Sequence, residues 1–554
     1  MKQEAAIKKN IVPLLFLLSV AVRFLLGNFY PRTINCYPDE LLYLSGASSF
    51  WNQHQMLVFQ MPSNFARIGY CLLIAPAFAL SGMKARGMVI ALINAVLVSL
   101  GLFPVYGIAR RVLKDRKDVI LSLMLYMICP TLTYSMTYMS ENLYLPVALF
   151  FVYACYRFFE EDNKKKKIFM GMGLLLLSGI AYMVKSVALA FPVALVMLLL
   201  TEMVTSKERK KCLLAGGIFV VGVLCAVAVL KLGLIEWDAG VMQGRVFYVL
   251  FGFAFFVLTA VLAFCVIPVL LPGLCYKDME KNQRKLYLLC VYLILATALV
   301  VAAMIYVTED YPSLTPRAHV RYVEFLFLPF VILVLRLMEE KREKIAFWKN
   351  VVVYGLWAVL QLVVFQGFSG QTVDHTMLFY WQLIAKEGKY FSAASVRILS
   401  LLIIIIVFAL VLLYEKKRQL FRKVLLTGIC IMCVGNSALS IYVQYKTHTH
   451  GKEETTEAET LRNFVRENND KTFWVLEPEG FCELIDTYLI DCENVRTGTK
   501  PVLSQRIEKF NLPKNVDYMV VYDGLENSEY FSREDGILYQ SYPSLGYSLY
   551  QLSH

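Results

Sequence analysis

The chain has 554 residues, of which 58% are hydrophobic and 18% charged, with a formal net charge of +12. So apolar a composition excludes a water-soluble globular protein of this length. Continuous apolar runs of eighteen residues or more, separated by charged loops, identify a polytopic α-helical membrane protein and exclude the alternating pattern of a β-barrel.

In chain order, spans are expected near residues 10–30, 86–108, 119–134, 141–158, 168–184, 187–204, 212–232, 247–273, 286–307, 321–338, 350–367, 396–414 and 423–443, thirteen in all. The first run is long, and Asn28-Phe29-Tyr30-Pro31 is a poor small-residue cleavage site, so it reads as an uncleaved anchor. Segment 68–82 is apolar but short and interrupted by Pro76, which suits a helix at the interface or entering partway. Charge supports that choice. Basic groups at Arg110 to Lys117, Lys164 to Lys167, Lys207 to Lys211, Lys277 to Lys285, Lys341 to Lys344 and Lys416 to Lys423 then share one side with Lys2, Lys8 and Lys9. The positive-inside rule makes that side cytoplasmic, in a multi-pass plasma-membrane protein.

The last segment changes character. Residues 447–554 hold 10 basic and 19 acidic residues, a net of −9, against +21 for residues 1–446. This reads as an extracytoplasmic α/β domain following the transmembrane domain. It has a polar helix near 455–468 and strands near 472–476, 517–522 and 546–552. Cys482 and Cys492 both fall in it, where an oxidising exterior permits a disulfide. No P-loop, dinucleotide-binding glycine pattern or G-x-S-x-G motif is present, so nucleotide use is not indicated.

The candidate chemistry lies in carboxylates at helix mouths. Asp39 and Glu40 stand in Tyr37-Pro38-Asp39-Glu40-Leu41-Leu42-Tyr43, just beyond the first span. Glu141 follows Ser140 at the start of a later span on the same side. Proline and acids suit the first turn of a helix, and Ser140 suits an N-cap, so a purely structural role competes with a catalytic one. The helix after Glu40 is expected to be amphipathic and interfacial. Outer-side cations are scarce: Arg67, Lys185, Arg245, Arg317 and Arg321 stand out as candidate ligands for an anion such as a lipid phosphate. A lysine such as Lys185 also snorkels readily to headgroups. The six histidines are scattered on the outer side and read as exposed.

These stretches together resemble the GT-C class of membrane glycosyltransferases, which includes protein O-mannosyltransferases and lipid A aminoarabinose transferases. Tyr37-Pro38-Asp39-Glu40 with Tyr43 resembles that class's D-E-x-x-Y loop, and Met61–Leu80 takes the place of its juxtamembrane helix. Pro130 to Asn142 resembles the segment with its second acid, Lys185 a frequent lysine between middle spans, and Arg321-Tyr322 the opening of a late span. The class's Lys-Pro-Pro is absent; Met61-Pro62-Ser63-Asn64-Phe65-Ala66-Arg67 stands there, with Arg67 in place of the lysine.

The resemblance implies transfer of a sugar from a polyprenyl-phosphate donor to an acceptor glycan, lipid or protein at the outer face. Asp39 is then the base, Glu40 its support, and Glu141 a group that orients the acceptor or tunes Asp39. Arg67, Lys185 and Arg321 would bind the donor phosphate, and Tyr37 and Tyr43 would line the substrate. Nothing points to nucleic acid, and no residue pattern indicates a divalent metal. A transporter or flippase of lipid-linked glycans, or a polysaccharide polymerase or ligase, would draw on similar residues. Against the transporter, no inverted repeat is evident and the acids lie at the surface rather than the midplane.

Overall fold

A computed structural model describes residues 2–28, 38–58, 61–62, 68–80, 82–205, 239–303, 319–339, 345, 347–365, 377, 393–448, 452–476, 489, 492, 495–497, 516–525 and 536–552. Its helices are α1 (Lys2–Gly27), α2 (Pro38–Gln53), α3 (Ile68–Ile74), α4 (Met83–Ser99), α5 (Leu102–Val112), α6 (Arg116–Ile128), α7 (Glu141–Glu160), α8 (Lys164–Val184) and α9 (Ala190–Thr205). There follow α10 (Ala239–Ala263), α11 (Ile267–Leu274), α12 (Lys281–Val301), α13 (Phe327–Glu339), α14 (Phe347–Phe365), α15 (Ala393–Lys416), α16 (Arg418–His448) and α17 (Lys452–Glu467). The strands are β1 (Leu57–Val58), β2 (Met61–Pro62), β3 (Phe473–Leu476), β4 (Val495–Thr497), β5 (Tyr518–Tyr522), β6 (Gly536–Tyr542) and β7 (Tyr547–Leu552).

Among the described residues, seven helices are long and apolar enough to cross a membrane, or nine if each of two bent pairs is one span. Three departures from the expected spans have local causes. The run 247–273 is broken between α10 and α11 by a 97° bend. Cys265 and Val266 take left-handed backbone angles there, and Pro268 starts the next helix. The run 119–134 bends by 43° between α6 and a 3-10 turn opened by Pro130. The run 321–338 shortens to α13, because Val320–Tyr322 and Glu324–Leu326 form 3-10 turns ahead of it. The expected span 212–232 lies outside the described residues. Segment 68–82 is α3 followed by a 3-10 turn at Ala75–Ala79, too short to cross.

Tertiary contacts divide the chain into two units. The first comprises residues 1–17, 99–132 and 144–440. The starts of α6 and α8 carry side-chain caps: Asp115 accepts from the backbone N–H of Lys117 at 2.8 Å, and Asn163 from those of Lys165 and Lys166. Aromatic packing joins α7 to α9, with Phe151 stacked on Phe191 at 4.5 Å. Close approach of α5 to α7 requires Gly107, since a Cβ there would lie 2.5 Å from the Tyr153 ring. Gly107→Ala is therefore expected to cost about 1–3 kcal/mol by overpacking. A melting curve of the purified variant checks this, and an unchanged midpoint would show that the two helices slide apart freely.

This unit also contains a buried charge network. Arg336 of α13 is 1% exposed and bonds Glu280 at 2.8 Å and Glu339 at 3.2 Å. Glu339 in turn accepts the backbone N–H groups of Lys114 and Asp115 in the α5–α6 turn. Asp118 of α6 pairs with Arg422 of α16.

The second unit comprises residues 18–98, 133–143 and 441–554. Here α2 lacks the exposed serine-bearing face expected of an amphipathic helix. Leu41, Tyr43, Leu44, Ser45, Ala47, Ser48 and Ser49 are all buried, so protein covers several faces at once. Its apolar side chains pack against Tyr70, Cys71, Ile74, Ala75 and Phe78 of α3 and the turn after it. In the same unit the acidic tail forms a five-stranded sheet of order β4-β3-β5-β7-β6. β3 is parallel to β4 and β5, while β7 is antiparallel to β5 and β6. Leu461 and Val465 of α17 cover one face of that sheet. Cys492 is buried in this core; Cys482 lies outside the described residues.

Candidate active site

The second unit gathers the carboxylates. Pro38, Asp39 and Glu40 make the first turn of α2. Successive helical residues point about 100° apart. Asp39 is accordingly half-buried, whereas Glu40 turns inward and is 2% exposed. Glu40 Oε1 accepts the backbone N–H of Tyr138 at 2.5 Å, across 98 residues of sequence. One turn along α2, the Tyr43 hydroxyl lies 2.7 Å from Ser140 Oγ, and Ser140 Oγ lies 3.4 Å from Glu141 Oε2. Glu141, the first residue of α7, is 1% exposed. Ser140 thus spends its side chain on Tyr43 and Glu141.

Loop 137–142 is what these groups share, and its backbone is tied from several sides. Asn94 of α4 donates to the Thr137 carbonyl at 2.9 Å and accepts from the Tyr70 hydroxyl at 2.9 Å. Asn142 donates to the carbonyls of Thr137 and Met139. The Tyr70 ring meets Tyr43 edge-on at 5.4 Å. Asp39, Glu40, Tyr43 and Glu141 are therefore placed by one turn of α2 and one loop held to it.

A charged residue not singled out in the sequence belongs to this unit. Arg23 of α1 is fully buried; its Nε donates to Ser19 Oγ at 3.2 Å, and its carbonyl accepts from Ser135 Oγ. Its signal was available: it is the one charged residue between Ile11 and Gly27. An ionisable residue inside a span marks function by default.

In the first unit, cations collect around Tyr322. Lys185 ends α8 in extended backbone, and its Nζ stands 4.9 Å over the Tyr322 ring. It is directed to an aromatic face, not simply snorkelled. The Arg321 guanidinium lies 5.2 Å from the same ring, and its Nη2 donates to the Tyr322 hydroxyl at 3.4 Å. His319 stacks on this ring with centroids 5.6 Å apart and planes 4° from parallel. It is 3% exposed, which corrects its reading as a surface histidine. The Tyr144 hydroxyl donates to the Tyr322 carbonyl and steadies the turn. Glu324, also unremarked in the sequence, is 1% exposed and accepts the backbone N–H of Met377 at 2.9 Å. Tyr37 and Arg67 lie outside the described residues, as does the side chain of Arg245. Among the described residues no three His, Cys, Asp or Glu side chains are grouped as metal ligands.

Known proteins resemble this chain in family model and in fold. Residues 68–230 match the family of dolichyl-phosphate-mannose-protein mannosyltransferases. No curated protein matches the chain in sequence. Among solved structures, apo ArnT from Cupriavidus metallidurans matches at 10% identity, with 98% of each chain covered and a TM-score of 0.50. The same enzyme bound to undecaprenyl phosphate matches at 12% identity, covering 96% of this chain and 97% of that one, with a TM-score of 0.51. At such identity the likeness is one of fold, and it extends over nearly the whole chain. The resemblance to GT-C class membrane glycosyltransferases holds, and the chain is a multi-pass helical membrane protein of that architecture.

Proposed function

We propose that this protein transfers a sugar from a polyprenyl-phosphate donor to an acceptor hydroxyl at the outer face of the membrane. The observation that carries the reading is the pairing of one half-buried carboxylate, Asp39, with the adjacent buried carboxylate Glu40, anchored to the loop that also presents Glu141. Asp39 takes the acceptor's proton as the acceptor oxygen bonds to the anomeric carbon. The bond from that carbon to the phosphate oxygen breaks, and its electron pair leaves with the polyprenyl phosphate. Lys185 and Arg321 carry the growing negative charge of the leaving phosphate, with Arg67 as a further ligand. Glu141 orients the acceptor, and Tyr37 and Tyr43 line its path. The N-terminus is cytoplasmic and residues 447–554 form an extracytoplasmic domain, as the loop charges require.

Purified protein in liposomes, supplied with a polyprenyl-phosphate sugar, is expected to release free polyprenyl phosphate. Lys185→Ala is expected to raise the donor KM about tenfold or more, the loss of one charged contact, with little change in melting temperature. Sugar carried across the bilayer on an intact lipid, with none transferred, would replace this reading with a flippase.

A further inference from the structure

The first unit contains a groove whose lining combines apolar and basic side chains, none of them among the carboxylates discussed above. A groove of about 730 Å³ lies among the N-terminal part of α1, the end of α5 and the start of α6. Its apolar wall includes Ile11, Val12, Phe103, Val119, Ile120 and Leu123. Its polar rim carries Arg110, Lys114 and Arg116, all exposed, with Tyr106 among them. The volume falls within the roughly 300–1,000 Å³ of ordinary small-molecule sites.

Three features make this more than a basic loop. The rim is prearranged: Glu339 accepts the backbone N–H groups of both Lys114 and Asp115, so the α5–α6 turn is held from below. Three neighbouring acids have cations of their own, Glu339 with Arg336, Asp118 with Arg422 and Glu160 with Arg111, while Asp115, in the rim itself, caps α6 by accepting the Lys117 backbone N–H. Within the turn, the cations Arg110, Lys114 and Arg116 outnumber the acid Asp115. Finally, the groove sits at helix ends, with Pro13 and apolar side chains on one side of the cations. A ligand that fits has an anionic phosphate at one end and hydrocarbon at the other. Arginine suits the phosphate because its planar donors engage two oxygens at once.

We propose that this groove binds one acidic glycerophospholipid of the cytoplasmic leaflet, its phosphate on Arg110, Lys114 and Arg116 and its upper acyl chain against Phe103, Ile120 and Leu123. The choice of leaflet follows from the positive-inside rule. This site is independent of the proposed transfer chemistry, and its test needs no sugar donor.

The test is native mass spectrometry of the full-length protein released from nanodiscs of equal phosphatidylglycerol and phosphatidylcholine. Wild type is expected to retain one phosphatidylglycerol in preference to phosphatidylcholine. Neutralising the rim, R110Q with K114Q and R116Q, is expected to lower that preference about 10- to 100-fold, because each basic residue near an anionic headgroup contributes severalfold. Ile120→Trp keeps every charge but fills the groove, and it is expected to displace the lipid too. Glutamine at Lys164, Lys165, Lys166 and Lys167, another basic cluster, should leave retention as in wild type. If Ile120→Trp retains the lipid, or the Lys164–Lys167 variant loses it equally, attraction is diffuse and the built site is overturned. If added undecaprenyl phosphate is retained in place of phosphatidylglycerol, the lipid class is wrong.

Discussion

Asp39→Asn is expected to lower sugar transfer by about 10²–10⁴-fold while the protein still inserts and melts as wild type does. The amide has nearly the volume of the acid and still serves the first turn of α2, but it takes no proton. Glu40 supplies the contrast. It is 2% exposed and accepts the Tyr138 N–H, so Glu40→Gln keeps an acceptor and should lose less activity than Asp39→Asn. Glu40→Ala leaves that N–H buried without its carboxylate and should cost about 1–3 kcal/mol in stability. The measurement is release of polyprenyl phosphate from a lipid-linked sugar, read beside a melting curve for each variant. Full transfer by Asp39→Asn would falsify its assignment as base. A melting loss in Asp39→Asn as large as in Glu40→Ala would make the pair a structural helix start.

The second large effect is expected from Arg336→Met, a loss of about 3 kcal/mol. The side chain is buried among apolar residues of α13, and the substitution preserves its bulk. What disappears is the positive charge beside Glu339, whose side chain is 7% exposed and cannot recruit water easily. Glu280 is 64% exposed and should lose little. Glu339 also holds the turn at Lys114 and Asp115, so the loss should spread to α5 and α6. Unfolding in detergent, followed by helical circular dichroism, checks the magnitude. A midpoint equal to that of wild type would mean that the network forms without stabilising the fold.

Helix boundaries were largely legible because bilayer thickness imposes a length on every crossing run, and length is visible in a sequence. Glu141–Glu160, Lys164–Val184 and Ser186–Thr205 therefore emerge close to their expected positions. The strands Tyr518–Tyr522 and Tyr547–Leu552 were legible from their β-branched and aromatic content between turn residues. The bend at Cys265 and Val266 was hidden, since a left-handed turn between two apolar segments changes no composition. α2 was misread because Ser45, Ser48 and Ser49 imply a wet face, yet a helix surrounded by protein buries small hydroxyl side chains readily.

The candidate site divides in the same way. Sequence by itself determined which residue types were out of place in an apolar chain: Asp39, Glu40, Glu141, Lys185 and Arg321, each a charge that hydrocarbon disfavours. Tertiary structure alone decided their company. It turned Glu40 inward onto Tyr138, joined Tyr43 to Ser140, and set Lys185, Arg321 and His319 around Tyr322. The reason is physical: a charge's cost is a property of one residue and its medium. Its partner is set by side-chain direction and by contacts between segments about a hundred residues apart or more, which no local pattern encodes.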